Sequence, residues 1–75
     1  MAKNNLIFTQ LRNPGKLTKV WEATSAHDGS YLGLVKFYAH WRKYVFFPSD
    51  GGVIFDSGCL QEIAQFLIDN KEARQ

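Results

Sequence analysis

The seventeen residues from Tyr31 to Phe47, YLGLVKFYAHWRKYVFF, contain seven Phe, Tyr or Trp together with His40, and Lys36, Arg42 and Lys43 are set among them. Aromatic and β-branched side chains suit a pleated, half-buried surface, so this stretch predicts two antiparallel strands joined by a reversal at Ala39 to Arg42. The rest of the chain is short enough to be organised around that pair.

With 75 residues there is room for one domain, 1–75, and one core, the polar residues 1–5 being expected to fray. A hydrophobic content of 45% argues against disorder. A single cysteine, Cys59, excludes an internal disulfide framework, and no apolar run approaches the roughly 20 residues of a membrane span. A cytoplasmic protein without membrane contact is therefore expected.

Upstream, Leu6 to Leu11 alternates loosely and reads as a short edge strand, followed by a turn at Asn13-Pro14-Gly15-Lys16. Leu17 to Ser25 reads as a second strand, running into Asp28-Gly29, a dipeptide suited to a two-residue hairpin turn. That turn would pair residues whose numbers sum to 57, placing Val20, Val35, Phe37 and Tyr31 on one face and Trp21, Ala23, Leu32, Leu34 and Tyr38 on the other. After Pro48 and the turn at 49–52, Val53 to Phe55 predicts a last short strand. The period then becomes helical: Asp56 or Ser57 as cap, and Leu60, Ile63, Ala64, Leu67 and Ile68 on one side of a helix from Gly58 to Ala73, with Phe66 an apolar exception and Lys71 and Arg74 in its last turns. The predicted fold class is α+β, an antiparallel meander of four to five strands with one C-terminal helix on one face.

One helix covers only one face of such a sheet, so the other buries itself by curling or stays available to a partner. Tyr38, His40, Trp41 and Tyr44 surround a predicted loop, a place where polar residues are the rule, and Arg42 and Lys43 lie between them. With Lys36 these residues form the candidate binding surface. Rings beside cations suit a protein-interface hot spot and equally the stacking of bases beside neutralised phosphate. An unidentified protein partner, from a host or a phage, is expected first because the net charge is only +2. Single-stranded DNA or RNA is the alternative, and a homodimer through the uncovered face or an edge strand is the third.

No complete catalytic or metal signature is present, and no cofactor is expected. Cys59 near a helix start has the placement of an activated thiolate, with His27 or His40 as base, but a lone cysteine beside Leu60 is the ordinary pattern of a small core residue. Two histidines and one widely spaced cysteine match no zinc pattern.

Two resemblances bear on context. Gly33-Leu34-Val35-Lys36-Phe37-Tyr38, then Lys43-Tyr44-Val45-Phe46-Phe47, Pro48 and Asp50-Gly51, resemble the nucleic-acid-binding strands of cold-shock domains. That resemblance implies Lys36, Phe37, Tyr44 and Phe46 as the residues that meet bases and backbone. The glycines of the second motif are replaced by large residues, and only 23 residues follow Gly52, too few for the remaining strands of a barrel. Trp21-Glu22-Ala23, the segment Trp41 to Pro48, and Cys59-Leu60 to Phe66-Leu67 are similar to a pattern in small, functionally uncharacterised phage and prophage proteins. This second resemblance implies a phage or host-interaction setting but no reaction.

Overall fold

Four antiparallel strands in the order β1-β2-β3-β4 and one helix make up the fold in the computed structural model, which describes residues 5–51 and 54–72. The elements are β1 (Leu6–Leu11), β2 (Val20–Ser25), β3 (Tyr31–Tyr38), β4 (Lys43–Pro48) and α1 (Ser57–Asp69). The expected α+β meander is what forms, with β1 at an edge. The turn at Asn13 to Lys16 closes as its residues dictate: the Lys16 N–H donates to the Asn13 carbonyl at 3.3 Å, and Gly15 takes a φ of 75°.

The β2–β3 register differs from the expected one. Asp28-Gly29 does not form a two-residue loop. Instead the Ser25 N–H donates to the Ser30 carbonyl and the Gly29 N–H to the Ser25 carbonyl, both at 2.9 Å, while the Asp28 carboxylate accepts from the backbone and hydroxyl of Ser30. This longer loop, with a bulge at Ala23/Thr24, pairs Val20 with Lys36, Trp21 with Val35 and Ala23 with Gly33. A slip of one residue reverses which side chains share a face. Trp21 and Ala23 therefore lie with Val35 and Phe37, and Val20 and Glu22 lie with Leu34, Lys36 and Tyr38.

The final strand expected at Val53 to Phe55 is also corrected. Val53 lies outside the described residues, and Ile54 and Phe55 are not strand. Phe55 meets the ring of Phe46 edge-on at 5.6 Å, so this segment is anchored by ring packing on its way from the sheet to the helix.

The core lies between α1 and one sheet face. Trp21, Val35 and Tyr44 are buried at its centre, with Phe8, Phe37, Phe46, Phe66 and Leu67 packed round them. Phe66 stacks on Phe8 at 4.0 Å and meets Trp21 edge-on at 5.0 Å. The helix thus turns Ile63, Phe66 and Leu67 inward, and Leu60 and Ile68, expected in the core, are 54% and 59% exposed. Two ring contacts from Phe66 bury more apolar area than the smaller side chains at 60 and 64 would. On the same side, Glu62 accepts the N–H groups of Asn5 and Leu6 at 2.8 to 3.0 Å, tying the helix to the start of β1.

Asp56 caps the helix, its carboxylate accepting the Cys59 N–H at 2.9 Å. At the other end Asn70 donates from its side chain to the Phe66 carbonyl at 2.9 Å, so the helix stops at Asp69. Lys71 falls past its end, while Ala73 and Arg74 lie outside the described residues. The hydrogen bond from the Cys59 N–H is the main reason the Asp56 carboxyl sits below its ordinary 3.8. A carboxyl depressed in the folded state contributes stability that is complete above the unfolded value and is lost as pH falls through the folded one. Thermal unfolding followed by circular dichroism from about pH 6 downward should show this acid loss, and Asp56→Asn should reduce it. An identical acid branch in the variant would contradict the role of the cap.

Candidate functional site

The sheet face opposite the helix is built from cross-strand rows. Leu11, Val20, Lys36 and Val45 form one row, and Thr9, Glu22, Leu34 and Phe47 form the next. Val20, Leu34, Val45 and Phe47 are half-buried by their neighbours on this face, and α1 packs on the other one. Lys36 stands between two valines and places its Nζ 4.9 Å from the centre of the Phe47 ring, which a cation–π attraction favours.

At one end the rows run into the β3–β4 loop. Tyr38 is the hub there: it meets Trp41 edge-on at 5.1 Å, His40 at 5.4 Å and Phe47 at 6.1 Å. Lys36, Tyr38, His40, Trp41, Arg42 and Lys43 are therefore brought to one end of the open face and its loop. Trp41 is 63% exposed, a large exposure for the largest of the aromatic side chains. Towards β1, a shallow hollow lined by Asn13, Lys16, Thr18, Val20, Leu34 and Lys36 adds a second lysine.

Tyr44 departs from the expected set and is a correction. Tyr38 pairs with Lys43, so Tyr44 sits opposite Phe37 and points to the covered face. There it is 4% exposed, meets Trp21 at 5.5 Å and Phe37 at 5.6 Å, and accepts the Lys19 N–H on its hydroxyl at 3.0 Å. Phe37 and Phe46 share that covered face, so three of the four residues implied by the cold-shock resemblance are core and only Lys36 is on the open side. Missed in the sequence were Lys16, Val20, Leu34, Val45 and Phe47. For the four strand residues the signal was the alternation, which becomes readable once the Val20–Lys36 and Tyr38–Lys43 pairings are known; Lys16, in the β1–β2 connection, had none.

The loop holds its shape through the Arg42 N–H, which donates to the Tyr38 and Ala39 carbonyls at 2.9 and 3.2 Å. Arg42 occupies the left-handed region at φ 55°, which costs a side chain with a Cβ roughly 1 kcal/mol. Arg42→Gly should accordingly raise stability by about 0.5–1 kcal/mol in denaturant unfolding while removing one surface cation. A loss of stability would mean that the guanidinium holds the loop.

Nothing in the geometry activates Cys59. Burial is the first cause raising its thiol, followed by the Asp56 carboxylate, the reverse of what a nucleophile requires. His27 lies against Asn5 at 3.4 Å and His40 against Tyr38. Among the described residues there is no group of three His, Cys, Asp or Glu able to hold a metal ion, and no helix is long and apolar enough to cross a membrane. What the open face offers chemically is flat rings, aliphatic rows and a few cations. No protein-family model matches the chain, and no curated protein or solved structure matches it either.

Proposed function

We propose that this chain is a non-catalytic binding module that docks on a protein partner through its open sheet face, with Trp41 and Tyr38 as the aromatic anchor. One observation carries this reading: the helix covers one face of the sheet, while the other presents the half-buried side chains of Val20, Leu34, Val45 and Phe47 about Lys36, beside a loop whose Trp41 is 63% exposed. Aromatic residues flanked by Arg and Lys are the composition of interface hot spots, and the aliphatic rows supply the surrounding contact that excludes water. Glu22 in the middle of the face and the low net charge favour a protein over a polyanion. Lys16 and Lys36 suit a partner that brings a carboxylate to the hollow beside Val20. We place it in a host cytoplasm, as an accessory factor acting on a host or phage complex, the setting that the phage-protein pattern read in Trp41 to Pro48 implies.

The test is retention of partner proteins by the immobilised chain compared with its Trp41→Ala and Lys36→Glu variants, with Leu60→Ala on the exposed side of the helix as control. Truncating a hot-spot Trp costs at least about 2 kcal/mol of binding, roughly 30-fold. Retention should fall by that order in Trp41→Ala, fall also in Lys36→Glu, and persist in Leu60→Ala. Equal retention by all four proteins would sink the assignment of the face. Retention that depends on nucleic acid, abolished by nuclease, would transfer the same surface to single-stranded DNA or RNA.

A further inference from the structure

The two edges of the sheet are not alike. β4 is guarded by exposed Lys43 and Pro48 at its ends, the devices that keep an edge strand from pairing. β1, with the sequence LIFTQL, has neither charge nor proline along six residues, and Ile7 and Leu11 stand 51% and 36% exposed on it. The geometry points to β1 as a homodimer interface: two copies pair antiparallel through this strand about a two-fold axis at Thr9, making one eight-stranded sheet.

The register follows from the hydrogen bonds already in use. The Leu6 N–H points away from β2 and is taken by Glu62 at 3.0 Å. By the alternation of a strand, the backbone groups of Phe8 and Gln10 face the same outer side. In an antiparallel pair, opposed residues exchange both their hydrogen bonds; facing Phe8 to Gln10 of the second copy lets Leu6 keep Glu62, because the residue then opposite Leu6 is Arg12, past the end of β1. Pairing Phe8 with itself would bring the second Gln10 onto Leu6, whose donor is occupied.

The resulting contacts are self-complementary. On the open face, Ile7 of each copy lies opposite Leu11 of the other, covering the two exposed aliphatic side chains of the edge, and Thr9 meets Thr9. On the helix side, Arg12 of one copy falls opposite Leu6 of the other, next to Glu62, in the groove that Asp69 also lines. A cation is thereby placed beside the Glu62 carboxylate, twice in the dimer. Both open faces end up side by side on one surface, so the dimer would present two copies of the proposed docking site to a partner.

The test is the mass of the full chain in solution together with register-specific cross-linking. Light scattering after size exclusion at tens of micromolar should give twice the 8.6 kDa of one chain. Thr9→Lys, which sets two ammonium groups face to face at the axis, should give the single-chain mass with an unchanged circular dichroism spectrum. In a Cys59→Ala background, Thr9→Cys should form a disulfide-linked dimer readily, because directly opposed non-hydrogen-bonded residues have Cα atoms about 4.5 Å apart. Ile7→Cys should not, since its own counterpart is four residues out of step. Should Thr9→Lys fail to fold, Arg12→Glu serves instead, placing a carboxylate beside Glu62 and weakening the dimer at least several-fold. A single-chain mass for the wild type up to about 1 mM, a dimer indifferent to these charge variants, or equal cross-linking at 7 and 9 would each overturn the proposal.

Discussion

Gly33→Ala is expected to remove roughly 3 kcal/mol or more of folding stability, through overpacking added to backbone strain. A Cβ at this position would lie 2.4 Å from the Phe47 carbonyl oxygen, 2.8 Å from the Phe46 ring and 3.0 Å from the Pro48 Cα. Two of those atoms are backbone of the neighbouring strand and have no rotamer by which to move aside. The φ of 157° adds a conformation that a side chain disfavours. A domain of this size has about 4–11 kcal/mol of stability in all, taking 0.05–0.15 kcal/mol per residue, so the loss is a large share of the total. Urea unfolding measures it, and a midpoint within experimental error of the wild type would mean that β3 and β4 do not approach as closely as described here.

Phe66→Ala should cost about 3 kcal/mol, the low end for a core aromatic because the ring is only partly buried. Leu60→Ala and Ile68→Ala should cost less than about 0.5 kcal/mol each, as surface changes do. The contrast is sharper than any single value, because it depends on which way the helix is turned. The four proteins compared by denaturant unfolding would show it directly. Large losses at 60 and 68 with little at 66 would place the helix in the rotation first expected from its sequence, with Phe66 outside.

That comparison also shows where sequence reasoning reached and where it stopped. The identities of β1 to β4 and of α1 were legible because they rest on local signals: the aromatic run at 31–47, the turn at Asn13-Pro14-Gly15, and the acceptor Asp56 before an apolar period; the strand expected at Val53 to Phe55 was not among those that form in the described residues. The face of each element was harder to read, since it depends on register. Asp28-Gly29 had the chemistry of a two-residue turn, yet Ser25 and Ser30 close a longer one and the bulge at Ala23/Thr24 takes up another residue. Every side-chain direction in β2 relative to β3 was reversed in consequence. Likewise an apolar residue at every third or fourth helix position left two stripes available, and the choice fell to Phe66 because Phe8 and Trp21 were waiting across the gap. No local pattern in the helix carries that information.

The candidate site was legible for the same reason and to the same extent. Trp41 and Arg42 are surface residues because they occupy a loop, which sequence shows, and Lys43 is exposed at the first position of β4. Tyr44 is core because it is one residue into a strand whose register only pairing reveals. Val20 and Leu34, expected on opposite faces of the hairpin, lie together with Val45 on the floor of the open face in the fold. Their exposure is what changes a loop carrying a few aromatics into a surface broad enough for a protein partner.

The most direct test of that surface is tryptophan fluorescence of the wild type compared with Trp41→Phe. Each is titrated at low and at moderate salt with the protein retained in the capture experiment and, separately, with mixed-sequence single-stranded DNA and RNA. Trp21 is buried under the helix and should stay silent, so the difference between the two proteins reports Trp41. The account predicts a change with the protein partner that persists at moderate salt and vanishes in Trp41→Phe, with no steeply salt-dependent response to nucleic acid. A signal from DNA or RNA that collapses as salt rises and requires Trp41 would contradict it, and would make the open face a nucleic-acid platform instead.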